Sequence, residues 1–149
     1  MVAVDTTAEL RTDAAPGVLF AEVESLDDYP EWLEIVSQVV PAEPDTGDPG
    51  PAWLVDLRGQ LGPLRRSKRL RMVRSRHDAG ERVEFVRREL DGRSHSDWKL
   101  TAVVEPAGSG STLRMSLHYG GNLWVPMLEK LLRDEIERSR PRLVDRLVG

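Results

Sequence analysis

At 149 residues, 40% hydrophobic and 31% charged, the chain has the size and balance of one globular domain (1–149), able to bury about 70% of the surface its unfolded form exposes. No apolar run approaches the roughly 18 residues needed to span a bilayer, and the absence of cysteine excludes disulfides, thiol catalysis and thiolate metal sites. The formal charge of −4 is unevenly spread: residues 1–56 carry 13 acids and one base, while residues 57–114 carry 14 bases and 7 acids. Met1-Val2-Ala3-Val4-Asp5 lacks a basic start followed by an apolar stretch, so no secretory signal is expected, and with no disulfide to need an oxidising compartment the expected setting is cytoplasmic.

In chain order, Val2, Val4, Thr6, Ala8 and Leu10 recur at period two and predict a first strand. Asp13 ahead of Ala14-Ala15-Pro16 reads as the N-cap of a short helix through Val23, and Asp27 to Leu33 as a second, very short one. Ile35 to Val40 is β-branched and reads as a strand ending at Pro41. Pro41 to Pro51, with four prolines and two glycines, is a loop.

Five strand-like segments follow, near 52–61, 64–76, 81–90, 95–105 and 111–119. Their separators are short and rich in Gly, Asp and Pro, which predicts hairpins and an antiparallel meander. From Asn122 the period lengthens: Trp124, Leu128, Leu131, Leu132, Ile136, Leu143 and Leu147 mark an amphipathic helix, expected to kink or break near Pro141. Six or seven strands need one covered face, and this helix is the only long apolar element available, so the sheet should curl around it in an α+β fold. Strand alternation then turns Trp53, Val55 and Leu57 inward, with Leu70, Met72, Val83, Phe85, Trp98, Leu100, Leu113, Met115, Leu117 and Tyr119.

Asp28-Tyr29-Pro30-Glu31-Trp32-Leu33 after a short helix, Trp98-Lys99-Leu100 ahead of a Glu-Pro turn, and the long terminal helix together resemble the SRPBCC/START-like superfamily. Within it, the pattern is most similar to polyketide cyclase/dehydrase and lipid-transfer proteins, kin to the birch-pollen allergen. That resemblance implies a helix-grip fold: a curved seven-stranded antiparallel sheet around a long C-terminal helix, with two short helices after strand 1. It also implies a hydrophobic ligand cavity between sheet and helix. A dry cavity of about 300 Å³ would cost about 7 kcal/mol at 24 cal/mol per Å³, so the space must hold ligand, water or inward side chains. Trp53, Trp98 and Trp124 are large enough to fill much of it.

The same alternation sets a conflict, because it turns Arg66, Lys68, Arg87 and Glu89 inward as well. Either they form an ion-pair network at the cavity mouth, able to receive a ligand oxygen, or the strand ends project beyond the helix into water. Tyr119 can line a pocket and hydrogen-bond a guest, whereas His95 reads as part of a polar hairpin end and His118 as outward-facing. The expected ligand-binding set is therefore Trp53, Val55, Leu57, Arg66, Leu70, Met72, Phe85, Arg87, Trp98, Leu100, Met115, Leu117, Tyr119, Trp124, Leu128 and Leu131. Glu89, Tyr119 and Arg87 are the catalytic candidates if the protein is an enzyme.

Three functions stand. The first is binding, transport or sequestration of a hydrophobic small molecule such as a lipid or polyketide; access would be controlled by the short helices, the 41–51 loop and the region around Asn122. The second is a polyketide aromatase/cyclase or dehydratase using the same cavity. The third is an interaction module acting through the basic segment 65–76. No aromatic residue interleaves that segment, so nucleic acid is not the expected partner. No cofactor or metal is expected, since the three histidines lack the usual zinc spacings. The expected state is a monomer or homodimer.

Overall fold

The computed structural model describes residues 2–61, 64–121 and 125–148, with the side chains of residues 2–4, 59–61, 64–67, 125–129, 131 and 132 left aside. Trp124 and the side chains of Arg66, Leu128 and Leu131 thus lie outside the described residues. The elements run β1 (Val2–Thr12), α1 (Pro16–Val23), a 3-10 helix (Leu26–Glu31), β2 (Val36–Pro41), β3 (Ala52–Leu61) and β4 (Leu64–Asp78). They continue with β5 (Arg82–Arg87), β6 (Asp97–Ala107), β7 (Gly110–Gly121) and α2 (Val125–Val148). All pairings are antiparallel, and the seven strands are ordered β1-β7-β6-β5-β4-β3-β2. The hairpins β3–β4, β4–β5 and β6–β7 follow from their short connections. Gly80 (φ 79°) and Gly108 (φ 57°) supply left-handed turn positions that other residues adopt at a cost. The two short helices carry the chain from β1 at one edge to β2 at the other, and α2 packs on β1 and β3.

Register confirms the inward faces. Trp53 pairs with Met72, Val55 with Leu70, Phe85 with Leu100, Leu100 with Leu117 and Trp98 with Tyr119. Trp53, Val55, Leu70, Met72, Val83, Phe85, Trp98 and Tyr119 are all buried, and Leu57 packs against them half-buried. On this floor Trp53 meets Phe85 edge-on and Trp98 tilts against Tyr119, ring centroids 5.6 and 4.7 Å apart. Tyr29 and Trp32 close one end, their rings 4.8 Å apart.

Four local expectations are corrected. The N-cap of α1 is Ala15, with no side-chain bond, because Pro16 occupies the first turn and leaves Asp13 too far upstream. β5 ends at Arg87 rather than near residue 90. Beyond it the Glu89 carboxylate, not a strand carbonyl, accepts the Arg71 N–H at 3.2 Å. α2 continues through Pro141 without breaking; Leu143, two residues on and 3% exposed, anchors the last turns in the core. The loop after β2 lies on the convex side, away from the space under α2. There Arg71, the outward neighbour of Leu70 and Met72, binds Asp48 at 2.7 Å and the Glu43 carbonyl at 3.0 Å, and Arg88 binds Asp45 and Asp48.

Candidate ligand cavity

Between the β1-β7-β6 side of the concave face and the second half of α2 lies a cavity of about 90 Å³. Its sheet wall is Ala8 and Leu10 of β1, Leu113, Met115 and Leu117 of β7, and Leu100 of β6. This grouping follows from register, with Thr6 opposite Leu117, Ala8 opposite Met115 and Leu10 opposite Leu113. Trp32, Leu33 and Ile35 form one end, and α2 contributes Ile136 and Leu143. Left dry, this volume would cost about 2 kcal/mol, tolerable against a typical stability of about 5–15 kcal/mol.

The wall also carries polar groups. Glu135 of α2, 6% exposed, accepts the Ile35 N–H at 3.0 Å through Oε2 and pairs with Arg138 through Oε1. It thereby ties the helix to the segment behind the 3-10 turn. Ser139 donates to the Ile136 carbonyl at 2.7 Å. Thr6 Oγ1, Trp32 Nε1 and Arg140 Nε belong to three lining residues, and each is buried with no hydrogen-bond partner. Buried donors are rarely left so, because each forfeits about 1–3 kcal/mol of hydration.

Of the side chains expected to contact a ligand, Leu100, Met115 and Leu117 line this cavity. Trp53, Val55, Leu70, Met72, Phe85, Trp98 and Tyr119 lie in the packed floor beside it. Sequence reasoning missed Thr6, Ala8, Leu10 and Trp32, as well as Glu135, Ser139 and Arg140. Alternation along β1 could have found the first three; nothing in a helical stripe separates a buried Glu from a solvated one.

Arg87 and Glu89 form a second cluster at the end of β5. Arg87, its side chain 7% exposed, donates from Nε to Glu89 at 2.7 Å and from Nη1 to the Ser96 carbonyl and hydroxyl at 3.2 and 3.1 Å, with His95 Nδ1 3.4 Å from Nη2. Arg87 is thus buried and paired rather than extended into water. Lys68 is exposed at the edge of the cluster, its ammonium 3.4 Å from Ser96 Oγ. His95 also pairs with Asp91, and His118 faces outward to pair with Asp5 at 2.7 Å.

Among the described residues, three cations of the basic segment are neutralised within the chain. Arg69 pairs with Asp56, Arg71 with Asp48 and Arg76 with Asp78, while Arg74 donates to the Glu24 carbonyl at the end of α1. Arg71, chiefly by hydrogen bonding, holds the Asp48 carboxyl well below the usual carboxylate range. No cluster of metal-ligating side chains occurs among the described residues, nor a helix long and apolar enough to cross a membrane.

A curved antiparallel sheet closed by a long C-terminal helix, with two short helices at one end, defines a helix-grip protein of the birch-pollen-allergen type. The sequence pattern of the family described as "Polyketide cyclase / dehydrase and lipid transport" matches residues 1–148, and the chain belongs to that family. Among solved structures it is similar to a START superfamily protein from Mycobacterium smegmatis, at 19% identity over 98% of this chain and 97% of that one, TM-score 0.71. It is similar also to Ara h 8.0201, at 14% identity over 99% and 97% of the two chains, TM-score 0.64. A third likeness is to the di-domain ARO/CYC BexL from the BE-7585A biosynthetic pathway, at 15% identity and TM-score 0.71, covering 99% of this chain and 50% of that one. At these identities the likenesses establish the fold alone. No protein of curated function matches the chain in sequence.

Proposed function

We propose that the protein binds a hydrophobic small molecule of lipid or polyketide type, bearing at least one acceptor oxygen, between the concave face and α2. The observation that carries this reading is an apolar cavity whose lining residues Trp32 and Arg140 hold buried, unpartnered N–H groups. A hydrocarbon guest would leave those donors unsatisfied; a carbonyl or hydroxyl oxygen would pair with them once outward movement of α2 brings them to the cavity surface. Affinity comes from apolar burial, at about 25 cal/mol per Å² before the costs of association. A guest much larger than the cavity requires α2 to move outward, so binding should couple to helix position. The catalytic candidates Glu89, Arg87 and Tyr119 do not line the cavity described here, so carriage is favoured over cyclisation.

Native mass spectrometry of protein purified from cells tests the reading: a bound mass that is lost on denaturation is expected. Trp32→Phe loses core packing but also removes an unsatisfied donor, so it should lower stability by no more than about 2 kcal/mol, yet weaken a ketone-bearing ligand about 3- to 10-fold relative to its hydrocarbon analogue. Equal weakening of both would remove the proposed pairing.

A further inference from the structure

We infer that Lys68, with Ser96 and Arg87 behind it, receives the carboxylate of an amphipathic ligand whose apolar body lies under α2. The inference rests on the cavity reading above and names the chemistry of the ligand's head.

Lys68 stands out among the described cations of β4. Arg69, Arg71 and Arg76 each hold a carboxylate, and Arg74 holds a backbone carbonyl. Lys68 has a single long contact, 3.4 Å to Ser96 Oγ, and no carboxylate within ion-pair distance among the described residues. Register places it on the concave side. It pairs with Leu57 two residues along from the Val55–Leu70 pair, and no bulge intervenes between Ala52 and Leu61. Lys68, the described cation of β4 that holds neither a carboxylate nor a backbone carbonyl, therefore faces the side where a ligand would lie.

Its surroundings are those of an anion site. Arg87 spends its charge on Glu89, and the rest of its fork holds the Ser96 carbonyl and hydroxyl beneath the ammonium. Partial burial first, and then the Arg87 charge, pull the Lys68 pKa below its ordinary value, with Glu89 opposing. An incoming carboxylate would offset both effects, with the Lys68 ammonium and Ser96 hydroxyl as donors. A compact ammonium on a flexible stem suits a single carboxylate that arrives from an open side.

The spacing fits one molecule. Ser96 precedes Leu100 of the cavity wall by four residues, about 13 Å at extended spacing. Arg87 is two residues from Phe85, which pairs with Leu100. A ligand with its head at Lys68 and its tail against Leu100, Met115 and Leu117 therefore carries an extended apolar chain of about that length, laid over the Trp98–Tyr119 ring pair that stands between the two ends.

The test is isothermal titration with dodecanoate and with 1-dodecanol, at pH 7.5 and low salt, on the wild-type chain, Lys68→Met and Lys68→Arg. Dodecanoate should bind the wild type about tenfold more tightly than the alcohol. Lys68→Met should abolish that preference while leaving alcohol affinity within about twofold, and Lys68→Arg should retain most of it. Equal acid-to-alcohol ratios in wild type and Lys68→Met would overturn the inference and leave the cavity reading standing. If neither compound binds the wild type, the cavity reading itself falls and takes the inference with it.

Discussion

Tyr29 is fully buried and donates its hydroxyl to the Val23 carbonyl at 2.9 Å, stitching the 3-10 helix to the end of α1. Burial pushes its ionisation well above the ordinary tyrosine value, so it remains a donor at any working pH. Tyr29→Phe should orphan the Val23 carbonyl and lower stability by about 1–2 kcal/mol in urea unfolding, with an unchanged slope. No change in the midpoint would mean that the hydroxyl adds nothing. Tyr29 and Trp32 belong to a stretch, 28–33, whose identity is legible in the sequence but whose orientation is not. A residue in a tight turn has no period from which to read what it faces, so Trp32 emerged as a cavity wall only in three dimensions. Lys68 and Arg87 show the converse: alternation turned both inward, and their partners, Ser96 and Glu89, decided which became buried and which stayed exposed.

Element by element, the inward faces of β3 to β7 were readable because period two holds along most of each strand, interrupted in β4 by a bulge between Arg74 and Arg76. The placement of the 42–51 segment was not. Its prolines and glycines mark a loop, but its seat on the convex face depends on Arg71 meeting Asp48 across 23 positions. The Asp48 carboxyl lies well below its unfolded value, near 3.9, so its contribution to stability is complete above about pH 4 and is lost as pH falls below that. Asp48→Asn should lower the melting temperature by several degrees at pH 7 and flatten its decline between pH 4 and 2.5. Wild-type and variant profiles running parallel would contradict the assignment. On α2, Glu135→Ala should remove the acceptor for the Ile35 N–H and cost about 1–3 kcal/mol, seen first as faster exchange of that amide. Exchange at Ile35 unchanged would show that the tether carries no load.

At the scale of the whole molecule, the charge asymmetry between residues 1–56 and 57–114 resolves into pairs that join early and late segments: Glu9 with Arg114, Glu24 with His77, Asp48 with Arg71, Asp56 with Arg69. The exposed ones contribute about 0–1 kcal/mol each, and their main effect is to offset part of the positive charge of the middle segment. The apolar space is smaller than the sequence suggested because the Trp53–Phe85 and Trp98–Tyr119 ring pairs fill the floor, confining the described cavity to the β1 side of α2. Helical periodicity could place α2 over the sheet, but the volume left between them depends on how the rings pack. The account stands on that remaining space accepting a guest. Its most direct test is a titration with 1-dodecanol followed by methyl NMR. Saturable shifts should cluster at Leu100, Leu113, Met115, Leu117, Ile136 and Leu143, with Val18 and Val40 on the exterior silent; shifts confined to those outer valines, or none that saturate, would contradict it.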